Sequence, residues 1–478
     1  MKAVNKVLCF ALLCLTSQAQ NLASGQNAKP APQRLVVVGD SLSAGVQNFS
    51  LLDTQQPNGY ASIIARQAGW PLTLPLVPYP GAPNVLQLVS FGPPVVIQPV
   101  SGTLPFPPRD NPGVEPTNIA VPGLTVETAL TLRPSLNPTT PVQGWATIVL
   151  GFPNLPFWAP TEMELAEALH PKLAIEWLGN NDALVPALLG QISALTPVDQ
   201  FAASYEQVLD RLALTHARIV TATIPDVTEI AFFTSAQQIA NQAKVPLAYV
   251  TQALGIGPND YVRPSAQAYV DAILTGQMQG PLPASCPAPL PDLGASSLPC
   301  VLTEADAKTV RARVNCYNLI ISVETALHGG ILVDINALVN KIYINGYQVA
   351  SQTLTTNFFG GLFSLDGIHP TNTGYGIIAN EFIRAMNAGL GTRIPEANIN
   401  EIFASDPLRS DILPNLQPAG SAPPSTGPVC GVSVRLQTLA CRIRVRSPQT
   451  DSVFCKMSFA VSQNGFNSRS LCNRAISL

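Results

Sequence analysis

Short apolar runs alternate with segments of helical spacing along most of this chain, and that alternation constrains the fold more than any other feature. The runs are rich in branched residues and typical of buried strands; they are Leu35 to Val38, Asn118 to Val121, Leu173 to Leu178, Arg218 to Ile224 and Ile331 to Ile335. Helical spacing occurs at Tyr60 to Ala68, Phe201 to Leu214 and Thr303 to Leu327. Strands alternating with helices predict an α/β fold with a mostly parallel sheet covered on both faces.

Two short blocks follow predicted strands directly and contain groups suited to catalysis. Gly39-Asp40-Ser41-Leu42-Ser43 places Ser41 at a strand end, the edge at which parallel sheets bind ligands. Its hydroxyl can be exposed there, and its backbone N–H can point at an oxyanion. Gly123, which follows the Asn118 run, lets the backbone approach a ligand and can donate a second N–H. Taken singly, each block is equally well explained by a helix cap or a turn.

Two further blocks supply an amide and a histidine. Gly179-Asn180-Asn181-Asp182 follows the Leu173 run, and a neutral amide donor suits an oxyanion, although the same letters are typical of a tight turn. In Asp366-Gly367-Ile368-His369-Pro370 the spacing of three lets the carboxylate bind one ring nitrogen and leave the other for the serine. The alternative for His369 is a structural role in that turn. The remaining histidines lack a comparable acidic neighbour at this spacing of three; they are His170, His216 and His328.

The four blocks occur in the order Gly-Asp-Ser-Leu, Ala-Val-Pro-Gly, Gly-Asn-Asn-Asp and Asp-Gly-Ile-His, and together they resemble the GDSL, or SGNH, family of lipases and esterases. The resemblance spans about residues 34–390. It implies a flavodoxin-like three-layer α/β/α fold and a catalytic triad of Ser41, His369 and Asp366. It also implies an oxyanion hole from the N–H groups of Ser41 and Gly123 and the side chain of Asn181. The Gly-x-Ser-x-Gly elbow of α/β-hydrolases is absent, which disfavours that fold.

The chemistry expected from this resemblance is hydrolysis of carboxylic esters through an acyl-serine intermediate, without a metal or an organic cofactor. The expected substrate is a small-molecule or lipid ester. Two alternatives stay open: a polysaccharide O-acetyl esterase of the same fold, and a non-catalytic surface binding protein. The apolar, proline-rich segment 70–115 is a candidate for an acyl site or a rim facing lipid, or else simply packs on the body.

The predicted organisation is a hydrolase domain over residues 34–416 with insertions at about 70–115 and 230–302. Proline blocks a regular helix or central strand in the first insertion, which we expect to be an elaborated surface loop. Cys286 and Cys300, in the second insertion, are a plausible disulfide pair. Residues 417–428 resemble a linker, and the basic, cysteine-containing tail 429–478 has no assigned fold.

The N-terminus predicts export. Lys2 and Lys6 precede an apolar stretch, and Ser17 and Ala19 fit a small-residue cleavage site, so residues 1–19 are predicted to be a signal peptide and 20–33 a linker. The protein is therefore expected to be periplasmic or extracellular; a lipid anchor at Cys14 is the second choice. Seven cysteines remain after cleavage, and their spacing does not suggest a zinc site.

The amino-acid composition limits the classes of binding partner that we expect. The net charge is −3, and charged residues make up only 12% of the chain, so no electrostatic reason favours binding of nucleic acid. No segment outside the N-terminus offers 18 consecutive apolar residues, which predicts peripheral contact with lipid at most. The sequence leaves the oligomeric state open.

Overall fold

The computed structural model describes residues 34–91, 95–288, 290 and 295–410, together with the backbone of 458–463 and 466–471. The chain divides into two units, Met1–Thr426 and Gly427–Leu478. In the second unit, strand Ser458–Gln463 pairs antiparallel with strand Phe466–Leu471. The predicted signal peptide and both predicted linkers lie outside the described residues, and their boundaries stay predictions.

The first unit contains thirteen strands and fourteen α-helices among its described residues. The strands are β1 Leu35–Gly39, β2 Leu86–Ser90, β3 Val96–Pro99, β4 Leu173–Trp177, β5 Arg218–Ala222, β6 Thr234–Ser235, β7 Tyr261–Val262, β8 Ser285–Pro287, β9 Ser297–Pro299, β10 Val301–Leu302, β11 Ile331–Val333, β12 Tyr347–Val349 and β13 Gln352–Leu354. The helices are α1 Ser41–Ala44, α2 Tyr60–Ala68, α3 Val126–Thr131, α4 Pro141–Leu150, α5 Glu162–Ala168, α6 Asn180–Leu189, α7 Val198–Leu214, α8 Ala236–Ala243, α9 Leu247–Leu254, α10 Gln267–Leu274, α11 Glu304–Leu327, α12 Ile335–Asn345, α13 Asn372–Leu390 and α14 Ile399–Ser405. None of the described helices is both long and apolar enough to cross a membrane.

The central sheet has the order β1-β4-β5-β11, and its strands are all parallel. Leu173 pairs with Leu35 on one side and with Arg218 on the other, while Ile331 pairs with Val220. Four of the five predicted strands therefore form the sheet, and the predicted α/β class with a parallel sheet is confirmed.

The fifth predicted strand, Asn118 to Val121, is reduced to a single parallel bridge between Asn118 and Val37. Ile119 and Val121 still donate backbone hydrogen bonds to β1, each 3.0 Å long. Prolines at positions 116 and 122 flank the segment and remove donors that a longer ladder would need. With this segment beside β1, the strand order is that of flavodoxin-like sheets.

Alternate residues of β1 enter two separate apolar cores, which makes the three layers. Val36 and Val38 pack in a core with α5, α7 and α11. Leu35 and Val37 pack in the opposite core with α2 and α13, where the rings of Tyr60 and Phe382 stack 4.7 Å apart between centroids. A strand buried on both faces explains why its sequence is uniformly apolar rather than alternating.

The two insertions are more ordered than the sequence predicts. Residues 70–115, expected to be a loop, contain the antiparallel hairpin β2–β3, in which proline occurs only at a strand end. Residues 230–302 contain α8, α9, α10 and their own apolar core. The predicted Cys286–Cys300 disulfide is confirmed, with 5.1 Å between the Cα atoms.

Glu176 gives the fold a testable pH dependence. This side chain is fully buried in β4, accepting hydrogen bonds from Leu178 N–H (2.9 Å) and the Tyr205 hydroxyl (2.7 Å). Burial raises its pKa to about 8. The folded state therefore keeps a proton that an unfolded glutamate releases near its ordinary pKa of about 4.3, and this contribution to stability is lost as pH rises between those values.

We predict that Glu176→Gln is more stable than the wild type at pH 8 and equally stable below pH 4. Between pH 4 and pH 8 the free energy of unfolding of the wild type falls more steeply with pH than that of the variant, by about 1.4 kcal/mol per pH unit. Urea denaturation across the pH range measures this difference. Glu206→Gln, at an exposed position on α7, is the control; equal slopes for Glu176→Gln and the wild type would contradict the prediction.

Candidate active site

Ser41 lies where the sequence predicts, at the point where β1 gives way to α1. Asp40 caps this helix, its Oδ1 accepting from Leu42 N–H at 3.0 Å. Ser41 is the first helical residue and remains partly exposed. Gly39 is required here because a Cβ at that position would lie 2.3 Å from Ser43 Oγ. The serine is thereby presented at the carboxyl edge of the sheet.

Asp40 also connects the serine loop to the end of β4. Its Oδ2 accepts a hydrogen bond from Asn180 Nδ2 at 2.9 Å, and the carboxyl group is fully buried. Burial raises the pKa of Asp40 to about 6, against the opposing effects of the Asn180 and Leu42 hydrogen bonds and the charge of His369. Shortly after the serine loop, Phe49 N–H donates to Asp366, so the first and fourth sequence blocks lie near one another.

Gly123 and Asn181 come together as a second pair of expected site residues. Gly123 adopts a φ of +82°, a conformation that favours glycine, and a Cβ there would approach Val142 Cγ2 to 2.9 Å. Asn181, near the start of α6, donates from Nδ2 to the carbonyl oxygen of Leu124, the next residue, at 2.9 Å. An amide NH₂ has two hydrogens, so this bond orients the group and leaves one donor.

Asp366 and His369 form the hydrogen bond that their spacing predicts. Asp366 Oδ2 lies 2.8 Å from His369 Nδ1, and both side chains are almost completely buried. The same carboxylate accepts three backbone N–H groups, from Ile368 at 2.7 Å, His369 at 2.8 Å and Phe49 at 2.6 Å. The carboxylate fixes the ring orientation, and Nε2 is the ring nitrogen left for another partner.

The ionisation of Asp366 contrasts with that of Asp40. Burial alone would raise its pKa, but the charge of His369 and the hydrogen bonds from His369 and Ile368 outweigh burial and lower it. Asp366 therefore stays ionised in a buried position, which is the state needed to hold an imidazole and to stabilise an imidazolium.

One expected contact is not made. Among the described residues, Ser41 Oγ forms no hydrogen bond with His369. The imidazole is hydrogen-bonded through Nδ1 to Asp366. Catalytic hydrogen bonds are often long in unliganded enzymes and shorten when substrate binds. The structure thus forms the Asp366–His369 pair and brings Ser41 to the same edge of the sheet without closing the serine–histidine bond.

Several supporting residues escaped the sequence analysis. Phe49 supplies an N–H to Asp366, and its ring centroid lies 6.5 Å from that of His369. Asn48 binds the loop before Asp366 twice, donating its N–H to Ser364 Oγ and accepting from Leu365 N–H. More than 300 positions separate these partners, so no local pattern could reveal them.

Two further buried acids border the site. Glu162 accepts from Gly39 N–H at 2.7 Å, and Asp182 accepts from Val126 N–H and the Thr196 hydroxyl. Burial raises the pKa of Asp182 to about 7 and that of Glu162 well above its ordinary value. Despite these acids, the described residues contain no cluster of three or more His, Cys, Asp or Glu side chains able to hold a metal ion.

Comparison with known proteins gives little further guidance. No family model and no curated protein matches the chain. Among solved structures, the chain is similar to the crystal structure of LAE5, an alpha/beta hydrolase enzyme from the metagenome of Lake Arreo, Spain, with 15% sequence identity and a TM-score of 0.34. The match covers 76% of this chain and 98% of that one. A likeness at this TM-score assigns neither fold nor activity, and the fold assignment rests on the sheet described above.

We predict that Asp366→Asn weakens the fold and frees the imidazole. The amide replaces a charged acceptor of four hydrogen bonds, which should lower the free energy of unfolding by about 2–3 kcal/mol. Asp406→Asn is the matched control, because Asp406 is equally buried and accepts three bonds from Thr373 and Leu408 but contacts no histidine.

Denaturation and proton NMR test this prediction together. The strongly deshielded Nδ1 proton of His369 should be visible in the wild type and in Asp406→Asn and absent in Asp366→Asn. Persistence of that resonance in Asp366→Asn would contradict the proposed hydrogen bond.

Proposed function

We propose that this protein is a serine ester hydrolase of the GDSL/SGNH type. The observation that most supports the proposal is the buried, ionised Asp366 bonded to His369 Nδ1 at the sheet edge that presents Ser41. Another histidine with a buried side chain, His328, lies 3.0 Å from Asp210 Oδ1, so a carboxylate partner alone does not assign catalysis; the serine at the neighbouring strand end is what distinguishes His369. Support also comes from the order of the four sequence blocks, which is that of the family, and from the position of Ser41 at the carboxyl end of β1.

In this mechanism His369 Nε2 accepts the proton of the Ser41 hydroxyl while Oγ attacks the ester carbonyl carbon. The carbonyl oxygen becomes an oxyanion, stabilised by N–H donors from Ser41, Gly123 and the Asn181 amide. The imidazolium returns the proton to the leaving alkoxide, and an acyl-serine remains. Water, deprotonated by His369, then attacks the acyl group and releases the acid. Asp366 stabilises the imidazolium in both steps.

An apolar cavity beside the histidine favours esters with apolar acyl groups. It lies among α12, α13 and the loop that carries His369, and its lining is almost wholly apolar. The lining includes Leu42, next to Ser41, and Ile368 and Pro370 on either side of His369. Thr356 and the indole of Trp177 are the side chains of that lining that carry a polar atom. The segment 70–115 does not line this cavity.

Export is part of the proposal. The Cys286–Cys300 disulfide supports it, because disulfides persist in oxidising compartments outside the cytosol. The predicted signal peptide gives the same location, periplasmic or extracellular.

Hydrolysis of p-nitrophenyl esters from acetyl to palmitoyl tests the activity. We predict that the wild type hydrolyses them, and that Ser41→Ala and His369→Ala each lower kcat at least about 10⁴-fold because the nucleophile or its base is lost. Ser43→Ala is the matched control: Ser43 is two positions away, fully buried and bonded to the Tyr60 hydroxyl. It should retain activity.

The chain-length profile identifies the substrate class. Rising kcat/KM with acyl length supports a lipid-type ester, whereas activity confined to acetyl esters favours an O-acetyl esterase. A folded wild type that is inactive on all these esters would contradict the proposal and leave the surface binding protein as the alternative.

A further inference from the structure

Two long stretches of this chain contain no charged side chain at all. Residues 67–108 form an uninterrupted run of 42 positions without Asp, Glu, Lys, Arg or His, and residues 134–161 form a second run of 28. We call the described residues of these two segments, 67–91, 95–108 and 134–161, the neutral rim. Surface segments of folded proteins normally interleave charges, so two such runs require a physical reason.

The neutral rim buries part of its apolar side chains, among them Trp70, Val77 and Val149, and exposes the rest. Of the fifteen large apolar side chains that are exposed among the described residues, nine lie in these two segments, so the exposed apolar surface is concentrated there. Phe157 is 96% exposed, Phe106 79% and Tyr79 61%. The others are Val89, Phe91, Val95, Val96, Leu136 and Trp158. Large contiguous apolar patches on soluble proteins mark interaction sites.

Contacts join the two segments into one surface. The rings of Phe106 and Phe152 lie 6.1 Å apart between centroids in an edge-on arrangement. Asn84 donates to the carbonyl oxygens of Val100 and Gly102, which ties the base of hairpin β2–β3 to the loop that follows it. Phe106 of the first segment therefore lies against the second segment, in which Phe157 and Trp158 follow Phe152 by five and six positions.

Of the charged side chains that border the neutral rim, Arg109 and Glu162 are buried, whereas Arg66, Asp110 and Arg133 are exposed. Arg109 is buried and donates to the carbonyl oxygens of Phe152, Asn111 and Val114. Arg133 pairs with Glu164. Within the rim itself there is no cation for an anionic headgroup or a nucleic acid, and no anion for a basic protein.

The neutral rim also borders the candidate active site from two directions. Leu86, the first residue of β2, donates its N–H to the Asn48 carbonyl. Phe49, which follows Asn48, donates its own N–H to Asp366. On the other side, Val142 and Trp145 of α4 lie against Gly123. The two rim segments therefore adjoin the candidate site, one beside the Asp366 loop and the other beside Gly123.

We propose that the neutral rim docks this protein on the surface of electrically neutral lipid, such as a zwitterionic bilayer or micelle, and so delivers lipid esters to Ser41. The aromatic side chains are of the kind that settle at membrane interfaces, where a ring is partly apolar and partly wet. Because the rim carries no charge, attachment depends on apolar burial and is insensitive to salt and to anionic lipid. The delivery of substrate rests on the proposed function; the docking itself does not.

Co-flotation with phosphatidylcholine vesicles tests the docking. The wild type and Ser41→Ala should both float with the vesicles, equally at low and high salt and without gain from added phosphatidylserine. The double variant Phe106→Asp/Phe157→Asp should lower the partition coefficient at least about tenfold, because two rings no longer enter the interface. Leu214→Asp, at a residue of α7 that is 76% exposed, is the matched control and should bind as the wild type does.

Activity separates this inference from the proposed function. The Phe106→Asp/Phe157→Asp variant should hydrolyse soluble p-nitrophenyl acetate as the wild type does and lose only hydrolysis of vesicle-embedded esters. An unchanged melting temperature shows that the variant folds. The inference is overturned if the wild type does not float, if it floats only with anionic vesicles at low salt, or if sedimentation shows that the rim pairs two copies of the chain. An inactive wild type that still floats would overturn the proposed function and leave the docking surface intact.

Discussion

The candidate site depends on buried side-chain hydrogen bonds at the carboxyl edge of one parallel sheet. The hydrogen bond from Asn180 to Asp40 joins the ends of β4 and β1. The hydrogen bond from Asn181 to the Leu124 carbonyl joins the end of β4 to the segment beside β1. A third hydrogen bond, from the Phe49 N–H to Asp366, joins the loop that carries His369 to the loop after α1, although more than 300 positions separate the two residues. Each unmade buried bond would cost about 1–3 kcal/mol, so these loops are held in register by the same interactions that place the reactive groups.

Burial alone does not decide which acids of this edge are ionised. Asp40, Glu162 and Glu176 have raised pKa values because burial disfavours their charge. Asp366 is equally buried, yet its pKa is lowered by the histidine and by backbone N–H groups. Environments that push the pKa values of neighbouring acids apart assign them different roles. Here the ionised carboxylate is the one that faces the imidazole.

The features that could be predicted from the sequence are those that depend on periodicity and on the spacing of neighbouring residues. The uniformly apolar β1 and the spacing of Asp366 and His369 led to the sheet and to their hydrogen bond, because both are local patterns. The hairpin β2–β3 was missed because proline-rich flanks hid two short edge strands. The contacts of Asn48 with Ser364 and Leu365 were invisible because tertiary structure alone brings them together. The sequence shows that the two rim segments lack charged residues. The structure was needed to show that several of their aromatic rings are exposed.

The central claim is that Ser41 is an activated nucleophile, and stoichiometric labelling with a fluorophosphonate, followed by peptide mapping, tests it most directly. The account predicts one label per folded chain, on Ser41, absent in Ser41→Ala and far slower in His369→Ala, because the reagent reads the acidity that the imidazole confers on the hydroxyl. A folded wild type that stays unlabelled, or a label on another serine at the same rate in His369→Ala, would contradict it.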